Sequence, residues 1–339
     1  MRAQALSTLN DKEASVEAEF SHLPVMAEEV LELLLPVPPG LIVDCTVGGG
    51  GHAALLLDAR ADWQLLGIDR DADALAAARV RLERFGDRVR LTQGEFGHLR
   101  QVVGDAIGTD EERIVGVLMD LGVSSPQLDR PERGFSYRHD APLDMRMDAR
   151  QELTAAHVCN EYGEDELAAL IAANGEERFA RRIARAIVAA RPLHSTRELV
   201  DVITAAIPAA TRRHGGHPAR RTFQAIRMEV NRELPNLAEG LDESVHLVGP
   251  AGRVLVLAYH SLEDRMVKER FVRWADEQPE LDAATRRMPV ARARRPLVRV
   301  LTRRARRPSA EEIAANPRAE SARLRAVERL DVPASGAPE

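Results

Sequence analysis

Lysine is almost missing from this chain: Lys12 and Lys268 are the only two among 47 basic residues. The positive charge is therefore carried by arginine, whose planar fork suits phosphate, although such a bias can also be genomic. Cysteine is nearly as scarce. Cys45 and Cys159 lie far apart with no paired neighbours, which excludes a disulfide framework and a cysteine-based zinc site. Cys45 sits inside the first apolar run and reads as core. No stretch approaches the roughly 18 uninterrupted apolar residues of a membrane span, and the first residues lack a signal-peptide pattern. The expectation is a cytoplasmic protein with no membrane partner.

Several motifs are also absent. No Gly-Lys-Ser/Thr follows the glycine cluster, so it is not a Walker A loop, and Gly-x-Gly-x-x-Gly is not cleanly met. His260 and Ser261 lack the Gly-x-Ser-x-Gly elbow of a hydrolase. His214 and His217 lie in a glycine-rich loop without a third ligand, so no metal site is expected. A net charge of −6 excludes a uniformly basic coat protein but leaves room for a local basic surface.

What is present is organised around Leu41-Ile-Val-Asp-Cys-Thr-Val-Gly-Gly-Gly-Gly-His52. The apolar start reads as a buried parallel strand. The glycines Gly48 to Gly51 then form a turn, and residues 53–59 read as a helix. Strand, glycine turn and helix let a backbone approach a nucleotide-like ligand closely. A second apolar run, residues 63–68, ends on Asp69, which lies 18 residues after Gly51. That is close to the roughly 20 at which an acidic residue holds ribose hydroxyls.

The remaining order reads as follows. Residues 1–21 form a polar tail, and an amphipathic helix follows with Val30, Leu31, Leu34 and Leu35 as its stripe. After Asp69 come a helix over 71–84, a strand over 88–92, a short helix to Val103 and a strand over 114–119 closing on Asp120. Strands alternating with helices predict a doubly wound α/β sheet whose ligand groups gather at the carboxyl ends of the strands. Residues 128–235 show helices only, at 164–173, 176–190, 196–206 and 222–234, and read as an inserted helical domain. The βα rhythm resumes with a helix over 237–247, a strand over 252–258, a helix to Trp274 and two last strands at 297–301 and 322–329. The expected division is thus 22–127 with 236–330 in one domain, 128–235 in the other, and a tail at 331–339.

Each candidate residue has a plainer alternative. Asp120 is either a ligand acceptor at a strand tip or a capping residue before a serine-rich turn. Phe96 either stacks on an adenine or belongs to the core. Residues 134–148 either close over a ligand or form a surface connection. Arg178, Arg181, Arg182 and Arg185 share one helix side, and Arg220, Arg221 and Arg227 flank Phe223 and Ile226. With the cluster from Arg286 to Arg307, they favour an RNA-facing surface over solvated helix faces.

The chain resembles the bacterial cytosine-N4 methyltransferases of small-subunit ribosomal RNA, the RsmH (MraW) family. The resemblance covers roughly residues 22–330 and lies in Gly49-Gly-Gly-His52, Gly67-Ile-Asp-Arg-Asp71, Asp120-Leu-Gly-Val-Ser-Ser-Pro-Gln-Leu-Asp129, Arg133-Gly-Phe-Ser136, Pro142-Leu-Asp-Met-Arg-Met-Asp148, Gly175-Glu-Glu-Arg-Phe-Ala180, Arg221-Thr-Phe-Gln-Ala225 and His260-Ser-Leu-Glu-Asp-Arg265. It implies a Rossmann-like class I methyltransferase sheet with an inserted helical domain that recognises RNA. It also implies S-adenosylmethionine as cofactor and a cytosine of the 16S decoding centre as substrate, within the small ribosomal subunit. A homodimer is compatible with it. By the family pattern Gly50, Gly51, His52, Asp69, Phe96, Asp120 and Gln127 line the cofactor site. Two departures are visible: only glycine where the family often carries Arg or Lys, and Ala53 where it often carries Ser.

For the chemistry, Asp120 with the turn at Ser124 and Ser125 is expected to hold the target amine, with Tyr259 and His260 as second candidates. The Asn/Asp-Pro-Pro-Tyr motif of amino-methyltransferases is absent. Two other classes remain distinguishable by experiment. A nicotinamide oxidoreductase would share the sheet and Asp69, and a non-catalytic ribosome-binding factor would use the arginine faces alone.

Overall fold

The computed structural model describes residues 24–108, 113–123, 127, 130–209, 217–275 and 296–331. The tail expected at 1–21, Ser124, Ser125, His214 and part of the 286–307 arginine cluster lie outside the described residues. The chain divides into two compact units. One runs up to Gly122 and resumes at Asn236; the other is Val123–Pro235.

The first unit is built on one sheet. Its strands are β1 (Gly40–Asp44), β2 (Trp63–Asp69), β3 (Val89–Gln93), β4 (Ile114–Asp120), β5 (Arg253–Ala258), β6 (Val298–Val300) and β7 (Arg323–Arg329). Their spatial order is β3-β2-β1-β4-β5-β7-β6. The first five strands pair in parallel, and β7 runs antiparallel between β5 and β6. This is the Rossmann-like class I methyltransferase sheet.

Sequence dictates the packing. Leu41, Ile42 and Val43 are fully buried because helices cover both faces of β1. The helices before β4 are α1 (Ala27–Leu34), α2 (Gly51–Ala59), α3 (Ala72–Leu82) and α4 (Leu99–Ile107). On one face α1 and α2 pack on Ile42, Trp63, Val115 and Leu255. On the other, Leu99 and Val103 of α4 join Val43, Val117 and Met119. The stripe of α1 differs from its expected register. Val30, Leu33 and Leu34 are buried, while Leu35 is 43% exposed, because the helix ends at Leu34.

The second unit holds α5 (Ala155–Glu161), α6 (Glu164–Gly175), α7 (Ala180–Ala189), α8 (Thr196–Ala206) and α9 (Arg220–Val230) around their own core. Helix α7 starts four residues later than its periodicity suggests, because Glu176 takes a left-handed conformation and the Glu177 carboxylate accepts the N–H of Phe179. Arg178 therefore precedes the helix. Left-handed Arg232 likewise ends α9 early, and α10 (Glu233–Leu247) begins directly after it. The segment 134–148 contributes to this unit's core, while its residues 138–140 are exposed. Phe135, Leu143, Met145 and Met147 are buried in this unit's core, and the Asn231 amide binds both the N–H of Met147 and the carbonyl of Met145. After β5 come α11 (Ser261–Ala275) and α12 (Ala310–Ala315), the latter without a counterpart in the sequence expectations.

Candidate active site at the strand tips

The strand order reverses between β1 and β4, and a parallel sheet binds ligands at the carboxyl ends beside such a switch point. Three aspartates stand there. Asp44 ends β1, Asp69 ends β2 and Asp120 ends β4.

The chain leaving β1 is stitched between its neighbours. The Cys45 N–H donates to the Leu118 carbonyl, and the Val47 N–H donates to that of Ile68. The Thr46 hydroxyl accepts the Asp120 N–H at 2.7 Å. The turn into α2 then requires positive φ at Gly48 (52°) and Gly50 (79°), conformations that side chains resist. The Gly48 N–H donates to Asp69 Oδ2 at 2.9 Å, and the Asp71 N–H to Asp69 Oδ1 at 2.9 Å. Asp69 thus fixes the loop it was expected to serve. Burial pushes its carboxyl up to about 6 despite both bonds.

His52 stands on the first turn of α2. Its Nε2 lies 2.9 Å from the Val25 carbonyl oxygen, and its Nδ1 lies 3.6 Å from Asp120 Oδ2. The other Asp120 oxygen accepts the Tyr259 hydroxyl at 2.7 Å. Burial raises the Asp120 carboxyl above its usual range, while His52 and the Tyr259 hydroxyl pull it back. Burial and the adjoining Asp120 charge hold the Tyr259 phenol well above its usual range, so the phenol stays a donor.

His260 serves a different purpose from Tyr259. It caps α11: its Nδ1 accepts the Glu263 N–H, and Glu263 Oε2 accepts the His260 and Tyr259 N–H groups, a capping-box arrangement. Its Nε2 lies 3.2 Å from Glu263 Oε1. The Nδ1 side of the ring serves the helix start, and Glu263 fixes the backbone that aims Tyr259 at Asp120. Phe96 follows β3 and is buried in the sheet core, where α10 crosses it at Gly240. Gln127 is buried and belongs to the other unit.

Asp44 escaped the sequence expectations. Its carboxyl is 1% exposed and accepts the Thr46 N–H, and burial pushes it up to about 8, with Asp120 and Asp69 adding to the rise. Thr46 and Glu263 were missed as well. The available signals were an acidic residue at the tip of the first strand, in line with Asp69 and Asp120, and a Glu three residues into a helix.

The residues present fit a ligand that carries positive charge beside ribose hydroxyls. The loop is glycine where a side chain would crowd it: a Cβ on Gly50 would stand 3.1 Å from the Leu82 side chain. Three carboxylates converge at the strand tips, and His52 is the basic side chain that stands against one of them, Asp120.

In the second unit, Arg181, Arg182 and Arg185 on α7 and Arg220 and Arg221 on α9 are exposed, opposite buried Ile183, Ile187, Phe223 and Ile226. Arg227 is not part of an open face, since it pairs with Glu233 at 2.8 Å.

A family model described as the MraW methylase family matches residues 19–330. The chain is 50% identical over 318 residues to the ribosomal RNA small subunit methyltransferase H of Symbiobacterium thermophilum, covering 92% of this chain and 97% of that one. It is 48% identical over 317 residues to the protein of the same name from Heliobacterium mobile, covering 92% and 100%. It is 49% identical over 320 residues to that of Thermobifida fusca, covering 92% and 94%.

Proposed function

This chain belongs to the MraW methylase family, and from that premise we propose that it transfers a methyl group from S-adenosylmethionine to the N4 amine of a cytosine in the decoding centre of 16S ribosomal RNA. Relatives about half identical over nearly their whole length are named as small-subunit ribosomal RNA methyltransferases, which supports the RNA class and the methyl donor. The observation that carries the reading of the chemistry is the Asp120 carboxylate, held at the strand tip between Tyr259 and His52.

The N4 lone pair of cytosine is delocalised into the ring, so the amine is a poor nucleophile. When bound, S-adenosylmethionine supplies an electrophilic methyl on a sulfonium. The protein's own part is alignment and proton acceptance. Positioning supplies much of the rate, and a placed acceptor adds roughly 10² to 10⁴. Asp69 and the glycine turn would hold the cofactor's ribose, with His52 at the start of α2 beside them. Asp120 Oδ2 takes the hydrogen bond of the amine, while the Tyr259 hydroxyl, held at 2.7 Å, fixes Oδ1. The cytosine leaves its stack to reach this carboxylate. The exposed arginines of α7 and α9 supply phosphate contacts.

Radiolabelled S-adenosylmethionine and small subunits lacking this methylation test the reading, followed by nucleoside analysis of the RNA. Label in N4-methylcytidine is the expected result. Label in another nucleoside overturns the assigned acceptor. No S-adenosylmethionine binding at all overturns the methyltransferase reading.

A further inference from the structure

The polar contacts of His52 ask for a proton that its neutral ring does not have. The Val25 carbonyl can only accept, so Nε2 at 2.9 Å carries the ring's hydrogen. In a neutral imidazole Nδ1 is then a bare lone pair, and it faces Asp120 Oδ2 at 3.6 Å. Two acceptors pointed at each other in a site where His52 is 6% exposed repel, and one proton between them removes the conflict. The distance is just beyond hydrogen-bond range, the looseness usual for catalytic pairs before substrate closes a site.

We infer that His52 is the positioning residue behind Asp120: it fixes the carboxylate and receives, at Nδ1, the proton that Asp120 takes from the target amine. The inference deepens the methyl-transfer reading and rests on it. In the step, the amine nitrogen forms its bond to the methyl carbon as the bond from that carbon to sulfur breaks, leaving a neutral thioether. The nitrogen keeps the electron pair of one N–H bond, and that proton passes to Asp120 Oδ2 and on to His52 Nδ1. No oxidant or further co-reactant is needed.

The surroundings favour this direction of transfer. Glu263 from α11 bears on Asp120, Asp44 from β1 interacts with Asp120 and with Asp69 from β2, and Glu312 of α12 bears on Tyr259. Arg81 of α3 approaches the turn next to Gly51, and Arg70, directly after β2, bears on Asp69. The Tyr259 phenol, held well above its usual range, keeps its own proton and does not compete as acceptor. The neutral tautomer of His52 is set by Val25, two residues before the start of α1, a segment itself anchored where Glu312 accepts the Met26 N–H.

The test is His52→Gln, whose amide keeps a donor for the Val25 carbonyl and removes the basic ring nitrogen that faces Asp120. In the full-length protein with small subunits and saturating S-adenosylmethionine, turnover should fall about 10²-fold on the pH plateau. The acid limb of the pH–rate profile should move, because Asp120 alone is left to hold the inhibiting proton. Asp120's own carboxyl, followed by ¹³C NMR in the free protein, should titrate at higher pH in the variant, since His52 no longer helps its charged form. A plateau loss with an unmoved acid limb makes His52 merely structural and overturns the inference. An unmoved Asp120 titration overturns the pairing itself. If the unaltered protein transfers no methyl group, the functional reading fails, and the carboxyl titration alone then decides whether the pair exists.

Discussion

Replacing Asp44 by Asn should remove a large part of the pH dependence of the first unit's stability. Asp44 ends β1, is 1% exposed, and is pushed by burial from the ordinary 3.8 up to about 8. Between those values the folded chain holds a proton that the unfolded chain has already released. Unfolding therefore releases a proton, and stability falls by about 1.4 kcal/mol per pH unit across that window, levelling off above it. From pH 5 to pH 8 the loss from this one group is about 4 kcal/mol. The introduced asparagine would be neutral throughout and would keep the acceptor that Asp44 offers the Thr46 N–H at 3.2 Å. Asp69 titrates in both proteins and drops out of the difference. The assay is urea unfolding read by tryptophan fluorescence, since both tryptophans, Trp63 and Trp274, lie in this unit. The stability of Asp44→Asn minus that of the unaltered protein should grow by about 4 kcal/mol from pH 5 to pH 8. A difference that stays constant within about 0.5 kcal/mol, the scatter expected of additive distant effects, refutes a protonated Asp44.

Three further outcomes are expected. Gly240→Ala would place a Cβ 2.7 Å from both the ring and the carbonyl of Phe96, so the same unfolding assay should show a loss of about 1–3 kcal/mol without a change in RNA affinity. Asp264→Asn leaves the buried Arg325 guanidinium, now bonded at 2.6 Å, without its carboxylate, and should cost about 3 kcal/mol. Changing Arg181, Arg182 and Arg185 together to Gln should weaken RNA binding uniformly across sequences and lower the slope of log affinity against log salt by about 2, measured by filter binding. An unchanged slope would remove α7 from the RNA surface.

The sheet was legible in the residues because its signals are local. Runs such as 114–119 are apolar throughout, and only strands covered on both faces tolerate that. The glycine turn and Asp69 were legible for the same reason: positive φ and strand-tip acidity are properties of a few neighbouring residues. The bounds of α7 and α9 were not, because Glu176 and Arg232 take left-handed conformations that no propensity announces. The core side chains of the segment 134–148 were hidden in its mixture of charge and methionine. Its Arg146 is spent on Asp144 and on the carbonyls of Ala149 and Gln151, and its buried apolar side chains fill a core.

By itself, then, the sequence determined the alternation of strands and helices, the interruption by a helical unit, and the acidic and glycine-rich strand ends. Each depends on residues within one or two turns of one another. Only the tertiary structure decided what those ends do together. Asp44, Asp69 and Asp120 are separated by long stretches of chain and meet because parallel pairing brings their strand tips side by side. His52 became a partner of Asp120 and Tyr259 its donor through distances that no spacing encodes. Burial then raised all three carboxyls, which is a property of the solvent excluded from the folded site and not of any residue alone.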